Sequence, residues 1–254
     1  MIKPSIKPTE RFTDRVDDYV KYRPSYPVEV IKFLEKDFGL RSHHIIADIG
    51  SGTGISAKLF LQNNNKVFGV EPNQAMRTKA EELLKNYSNF TSVNGTSEAT
   101  NLPDHCVDFV VVAQAFHWFD PMPTKKEFKR ILKPGGVVVI LFNDRKIAGS
   151  KFSELFEKLL KGLDSDYDKV KNRNVTEQRH KQFLGRFSKF SISTYQEFDF
   201  AGLLGRLKSS SYALTESDPG YTKMVSNLKC IYDSTQIAGK VRMENDTQLF
   251  CARI

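Results

Sequence analysis

Three glycines on alternate positions, Gly50-Ser51-Gly52-Thr53-Gly54, follow the apolar run His44-Ile-Ile-Ala-Asp48-Ile49 and precede a helically spaced Ile55, Leu59 and Phe60. Such a turn lets backbone approach a ligand closely and offers it the N–H groups of a helix N-terminus. Glu71 closes the next apolar run, Lys66-Val-Phe-Gly-Val70. A carboxylate there is placed to accept hydrogen bonds from both hydroxyls of a ribose; a solvated strand end is the plainer account, and the position after a second strand favours the ribose. The dinucleotide fingerprint requires glycine at position 55, where the chain has Ile55, and no Gly-Lys-Ser/Thr phosphate loop is present. Past another apolar run, His117-Trp118 supplies a candidate general base beside an aromatic, and Arg23 supplies a guanidinium able to grip a carboxylate at two points.

These residues need strands and helices to position them, and the pattern supplies both in alternation. Strands are predicted at His44–Ile49, Lys66–Val70, Phe90–Asn94, Val107–Ala113 and Val137–Phe142. Between them, Met76, Ala80, Leu83, Leu84 and Tyr87 share one helical face behind an N-cap at Asn73, and a helix is predicted over Pro123–Leu132. Near-continuous Val and Ile strands separated by helices imply a doubly wound, mostly parallel sheet covered on both faces, whose ligands bind beyond the strand carboxyl ends. Further on, Phe152, Leu155, Phe156, Leu159 and Leu160 form one apolar stripe, and Tyr221, Met224, Val225, Leu228, Ile231 and Tyr232 another. Tyr195–Phe200 and Gln248–Ile254 read as strands that complete seven with an antiparallel hairpin.

The 254 residues suit one sizeable domain with a cap. Hydrophobic residues at 40% and charged residues at 27% exclude a disordered or fibrous chain, and no apolar run approaches a membrane span. The N-terminal residues carry charge with no apolar core or cleavage site behind them, so a cytoplasmic address is expected. Cys106, Cys230 and Cys251 fit neither a disulfide framework nor a metal spacing, so buried free thiols and no metal are expected.

Asp48-Ile-Gly-Ser-Gly-Thr-Gly54, Glu71-Pro-Asn73 and Leu132-Lys-Pro-Gly-Gly136 together resemble the class I S-adenosylmethionine-dependent methyltransferases. Phe12-Thr-Asp-Arg-Val-Asp-Asp-Tyr19, Tyr22-Arg23-Pro-Ser-Tyr26-Pro27 and Gln114-Ala-Phe-His117-Trp118-Phe119 are similar to the trans-aconitate methyltransferase-like small-molecule group, methyltransferase type 11. The resemblance implies a Rossmann-like methyltransferase fold over the whole chain. Residues 1–40 would form a lid and the first helices, 41–143 the cofactor-binding core, 144–190 a basic helical cap, and 191–254 the rest of the sheet and helices.

It also implies roles, residue by residue. S-adenosylmethionine, leaving as S-adenosylhomocysteine, would lie against Asp48, Gly50, Ser51, Gly52 and Gly54, with Glu71 on the ribose and Pro72 and Met76 along the adenine. Thr96, Ser97 and Glu98 would meet the adenine edge, and Ala113 and Gln114 the methionine portion. Tyr19 and Arg23 would close over the cofactor from the lid. Tyr26, Trp118, Asn143, Arg145 and Tyr212 would meet the substrate, with His117 as base or as a pocket-shaping residue. Relatives often have tryptophan where this chain has Phe142, so the pocket wall differs there.

The implied acceptor is a small anionic molecule, methylated at a carboxylate or another oxygen. An RNA or protein methyltransferase, a quinone or lipid methyltransferase, and an inactive cofactor-binding scaffold stay open, although no RNA-binding module, Asn-Pro-Pro-Tyr-like motif or basic membrane helix is visible. A membrane is not an expected partner, and a monomer or homodimer is. Of the formal charge of +8, most sits between Arg145 and Lys189, where 12 Lys and Arg face six Asp and Glu. A basic cap over a nearly neutral core suits an acidic substrate.

Overall fold

The computed structural model describes residues 16–163, 165, 167–170 and 176–254. Phe12 and its neighbours lie outside the described residues. One seven-stranded sheet runs in the order β3-β2-β1-β4-β5-β7-β6. β1 (Ile45–Ile49), β2 (Lys66–Val70), β3 (Phe90–Val93), β4 (Val107–Ala113) and β5 (Leu132–Arg145) are parallel, and β7 (Val241–Arg253) is antiparallel to both β5 and β6 (Ser188–Phe198). The chain leaves β1 outward to β2 and β3, then returns to place β4 on the other side of β1. That reversal opens a crevice between the carboxyl ends of β1 and β4.

Strand residues alternate between two apolar layers. Ile46, Val67, Phe109, Val111, Val139 and Leu141 pack with α2 (Glu29–Phe38), α3 (Ile55–Gln62) and Leu84 of α4 (Gln74–Leu84). Ala47, Ile49, Val70, Val110, Val112 and Ile140 face the other way, against α5 (Pro121–Ile131) and Phe183 and Leu184 of α8 (Glu177–Leu184). A third apolar cluster unites α6 (Lys151–Lys161), Tyr167 of α7 (Tyr167–Val170), α9 (Phe200–Lys208) and α10 (Tyr221–Thr235) with the far ends of β6 and β7. The helices over the site therefore come from both sides of residue 190, while α8 packs on the sheet.

The two C-terminal strands are longer than their sequence suggests, for a physical reason. In β7, Val241, Met243, Asn245 and Thr247 are all buried on alternate positions, so two polar residues interrupt the apolar signal without interrupting the strand. β6 ends at Phe198 and does not reach Phe200: Asp199 caps α9, its carboxylate accepting from the Gly202 N–H at 2.7 Å. Asp120 followed by Pro121 likewise starts α5 two residues ahead of Pro123. Of the three thiols only Cys251 is buried, inside β7 between β5 and β6; Cys106, just before β4, is half-buried and Cys230, on the outer face of α10, is exposed.

The loop after β3 is tied down by Glu127 of α5. Its carboxylate accepts from the Thr100 backbone N–H at 2.8 Å, from the Thr100 hydroxyl and from Arg130, and these hydrogen bonds, Arg130 foremost, hold it down at about 2. Glu127→Ala is expected to cost about 2–4 kcal/mol, since it strands two Thr100 donors and a guanidinium. Urea unfolding measures it. The folded pKa lies below the unfolded one, so this contribution is full above about pH 4.5 and is lost as pH falls toward 2.

Candidate active site

A cleft of about 330 Å³ opens at the β1/β4 crevice, within the range of small-molecule sites. Its floor is the glycine turn. Gly50, Gly52 and Gly54 have φ of +70°, +55° and +83°. At Gly52 the positive φ favours glycine, and a Cβ there would meet nothing within 4 Å, so this cleft-lining backbone edge is bare. Gly54 caps α3 and packs on Leu84, away from the cleft.

Glu71, at the end of β2, holds this floor together. Its Oε2 accepts from the Gly52 N–H at 3.0 Å and its Oε1 from the Asn73 N–H at 2.9 Å. Each oxygen keeps lone-pair capacity for a further donor. Burial pushes the carboxyl above its usual range, against the pull of those two N–H groups. Asn73 also caps α4, accepting from the Met76 N–H at 3.0 Å, and Pro72, Asn73 and Met76 line the same wall.

Asp48 does not reach the cleft. It is fully buried under the turn, where Oδ2 accepts from the Ser56 hydroxyl at 2.6 Å and Oδ1 has no partner among the described residues. Burial pushes its carboxyl up to about 7. Ser51 and Tyr26 stand beside a small annex of about 40 Å³ rather than on the main cleft wall, and Tyr26 is packed into the core.

Beyond β3, Thr96, Ser97 and Glu98 form the next wall. The Ser97 hydroxyl donates to Glu98 Oε1 at 2.7 Å. Beyond β4, Ala113 and Gln114 lie on the floor; Gln114 adopts φ +59°, a left-handed backbone rare for a residue with a side chain and concentrated at functional sites. The following 3-10 turn, Phe116–Trp118, presents His117 and Trp118 with ring centroids 4.4 Å apart. Burial, then the Arg179 cation behind it, pushes His117 down to about 4, and its Nδ1 has no partner among the described residues.

The roof is α1 (Val16–Tyr22) with Arg23, and α9 with the loop that follows it. The Tyr22 ring lies so close to Gly205 that a Cβ there would overlap it, and Gln196 donates to the Tyr22 carbonyl at 3.2 Å. Arg23 lies over the Tyr19 ring at 5.1 Å and donates through Nη2 to the Ser209 carbonyl at 2.8 Å. Tyr19, Arg23, Asn143, Arg145 and Tyr212 all line the cleft.

The sequence did not single out Arg206, Ser211, Tyr167, Phe119 or the lining role of Asn73. Arg206 looks like an ordinary basic residue of an amphipathic helix; its one signal is the glycine before it, mid-helix, where Tyr22 packs. Three arginines from separate elements thus converge: Arg23, Arg145 and Arg206. Only Arg145 belongs to the basic stretch of the sequence, and it pairs with Glu157 and donates to the Tyr167 hydroxyl. Burial opposes ionisation of Glu157, but hydrogen bonds from Tyr167 and Arg145 hold its carboxyl below the usual range. Lys151, Lys158, Lys161, Lys181, Arg186 and Lys189 are exposed and none of them lines the cleft.

No helix among the described residues is long and apolar enough to cross a membrane, and no group of three His, Cys, Asp or Glu converges there. The bare edge of Gly52, the lone pairs of Glu71 and the Nε of Arg23, unpartnered among the described residues, are what a nucleoside carrying a carboxylate would need.

Residues 47–140 match the methyltransferase-domain family. An uncharacterised methyltransferase of Mycobacterium bovis is 33% identical over 171 residues, 66% of this chain and 68% of its own length. An uncharacterised methyltransferase-like protein of Schizosaccharomyces pombe is 31% identical over 135 residues, 53% of this chain and 52% of its own length. The chain thus spans about half to two thirds of the relatives it matches. A solved structure from Anaeromyxobacter dehalogenans, described as a candidate type II methyltransferase, superposes with a TM-score of 0.67 at 18% identity, over 91% of this chain and 98% of that one. With the strand order and the glycine turn, these likenesses make this chain a member of the class I S-adenosylmethionine-dependent methyltransferases.

Proposed function

We propose that the protein transfers a methyl group from S-adenosylmethionine to a small anionic acceptor, at a carboxylate or another oxygen. The observation that carries this reading is the cleft itself, which joins an open glycine turn and Glu71 to Arg23 and Arg206, neither of which has a carboxylate within ion-pair distance among the described residues. When bound, S-adenosylmethionine supplies a methyl on a sulfonium, open to in-line attack by the acceptor oxygen. The chain's residues supply position and electrostatics.

Gly50 and Gly52 give the cofactor a close backbone surface, and Asp48 holds the turn from beneath through Ser56. Glu71 takes the ribose hydroxyls on its remaining lone pairs while its other lone pairs hold Gly52 and Asn73. Pro72 and Met76 flank the adenine, with Thr96, Ser97 and Glu98 at its edge. Tyr19 and Arg23 close over the amino-acid portion, beside Ala113 and Gln114. Trp118, Asn143, Arg145 and Tyr212 surround the acceptor.

His117 is neutral at physiological pH and too weak a base to deprotonate a hydroxyl or ammonium efficiently. An acceptor oxygen that is already ionised needs no base, so His117 shapes the mouth and excludes water. Turnover is expected to show no titration near pH 6.5, and His117→Ala to lower kcat by less than about tenfold, short of the hundredfold or more typical of a lost general base. A pH–rate profile of both proteins checks this.

The experiment for the reading is a screen of short carboxylic acids and of RNA with S-adenosylmethionine, following S-adenosylhomocysteine release. Release with an acid supports it; release with RNA alone overturns the small-molecule acceptor.

A further inference from the structure

The mouth of the cleft is a three-residue 3-10 turn, Phe116–Trp118, too short to satisfy the carbonyls at its own end. The Phe116 carbonyl takes a long 3.3 Å hydrogen bond from the Phe119 N–H, and the Phe119 carbonyl takes none from the turn. One side chain of α8 meets both. Arg179 Nη2 donates to the Phe119 carbonyl at 2.9 Å and to the Phe116 carbonyl at 3.4 Å, and its guanidinium lies over the Phe116 ring at 5.4 Å. Arg179 itself does not line the cleft.

Arg179 stands on a fixed base. Thr176 caps α8, its hydroxyl accepting from the Arg179 backbone N–H at 3.2 Å. The next residue, His180, is buried with its ring stacked on Phe250 of β7 at 3.9 Å, and Phe183 meets Phe116 edge-on at 4.9 Å. The turn is therefore tied to the sheet through α8. Burial of the Phe116 side chain fixes the turn at one point, about which His117 and Trp118 would be free to swing into or out of the cleft. Fixing their direction takes a second hold, and a guanidinium across the carbonyls of residues 116 and 119 provides it with the strength of a charged donor. The same cation lies behind His117 and opposes its protonation.

We propose that Arg179 is a positioning residue for the acceptor end of the cleft: by bridging the carbonyls of Phe116 and Phe119 it sets the direction in which His117 and Trp118 face the acceptor. Its effect on turnover rests on the methyl-transfer reading above, and its effect on Trp118 does not. A side chain outside the cleft thus acts on the reaction through two that line it.

Trp118 is the only tryptophan in the chain, so tryptophan emission reports on this turn alone. The test is acrylamide quenching of that emission, with turnover and S-adenosylhomocysteine calorimetry beside it. Arg179→Met keeps an apolar stem over Phe116 and removes both hydrogen bonds. It is expected to raise the quenching constant by about twofold or more and to lower kcat/KM by about tenfold or more for an acid turned over in the screen above, with S-adenosylhomocysteine affinity changed by less than about threefold. Arg179→Lys, which keeps the charge but not the fork, is expected to fall between. Lys181→Met, on the same helix, exposed and away from the cleft, is expected to match the wild type in all three. Thermal melting of each variant checks folding, and Arg179→Lys decides the matter if the methionine variant unfolds.

A residue that only stabilises the docking of α8 would lower the melting temperature and leave quenching and turnover of the folded protein as they are, and that result overturns the proposal. So does a loss of S-adenosylhomocysteine affinity as large as the loss of turnover, which would place the effect on the cofactor side. A wild-type protein that turns over no acid is a different result, which removes the methyl-transfer reading. Quenching of Trp118 in the ligand-free variants then still decides whether Arg179 holds the turn.

Discussion

Gly52→Ala is expected to weaken S-adenosylhomocysteine binding by about thirtyfold or more while leaving the protein folded. The reason is local. At φ +55° an alanine is strained, at a cost of about 1–2 kcal/mol, but its methyl would clash with no neighbour. The methyl would instead occupy the surface on which the cofactor is proposed to lie, and a one-carbon obstruction there forces the ligand off the backbone and the floor of the cleft. Gly39→Ala is the matched control. Gly39 has φ +70° and equally open surroundings, but it ends α2 and does not line the cleft, so the strain should appear in the melting temperature with no change in affinity. Calorimetry and thermal melting of the two variants separate backbone strain from obstruction.

The second large effect is expected of Glu71→Gln, which looks conservative and is not. Both carboxylate oxygens accept from backbone N–H groups, Gly52 on one side and Asn73 on the other. An amide offers one oxygen and one N–H₂ group, so whichever way it turns, a donor faces a donor. The turn or the start of α4 must then shift, and one ribose hydroxyl loses its acceptor. A loss of about a hundredfold in S-adenosylhomocysteine affinity, about 3 kcal/mol, is expected by calorimetry. Protonation does in the wild type part of what the amide does in the variant. Because burial raises the Glu71 pKa, affinity should start to fall at a higher pH than an ordinary glutamate would give, and the glutamine variant should lack that limb.

Much of this site is legible in the sequence because its parts are local. The glycine turn, Glu71 and Gln114 each follow a short apolar run, and a parallel sheet places every such position at one edge. Asn73 as a helix cap is equally local. The arginine pair is not. Arg23 and Arg206 are brought together by α1 lying across α9, a contact made possible by Gly205 beneath the Tyr22 ring and spanning most of the chain. Nothing in the short-range pattern around Arg206 separates it from Lys208 two residues on, which pairs with Glu216 away from the cleft. Charge counted along the sequence pointed to the stretch after Arg145, yet six of its basic side chains face solvent. The same distinction explains the strands: buried Asn245 and Thr247 hide half of β7 from a reading based on apolar alternation.

The chemistry proposed here depends on one event before any acceptor matters, which is cofactor binding at the glycine turn. Titration of the wild-type protein with S-adenosylhomocysteine, followed by calorimetry, tests it most directly. The expected result is saturable one-to-one binding that Gly52→Ala weakens and Gly39→Ala does not. Absence of binding at about 1 mM ligand, an affinity weaker than about 4 kcal/mol, or binding indifferent to Gly52→Ala, would contradict the account.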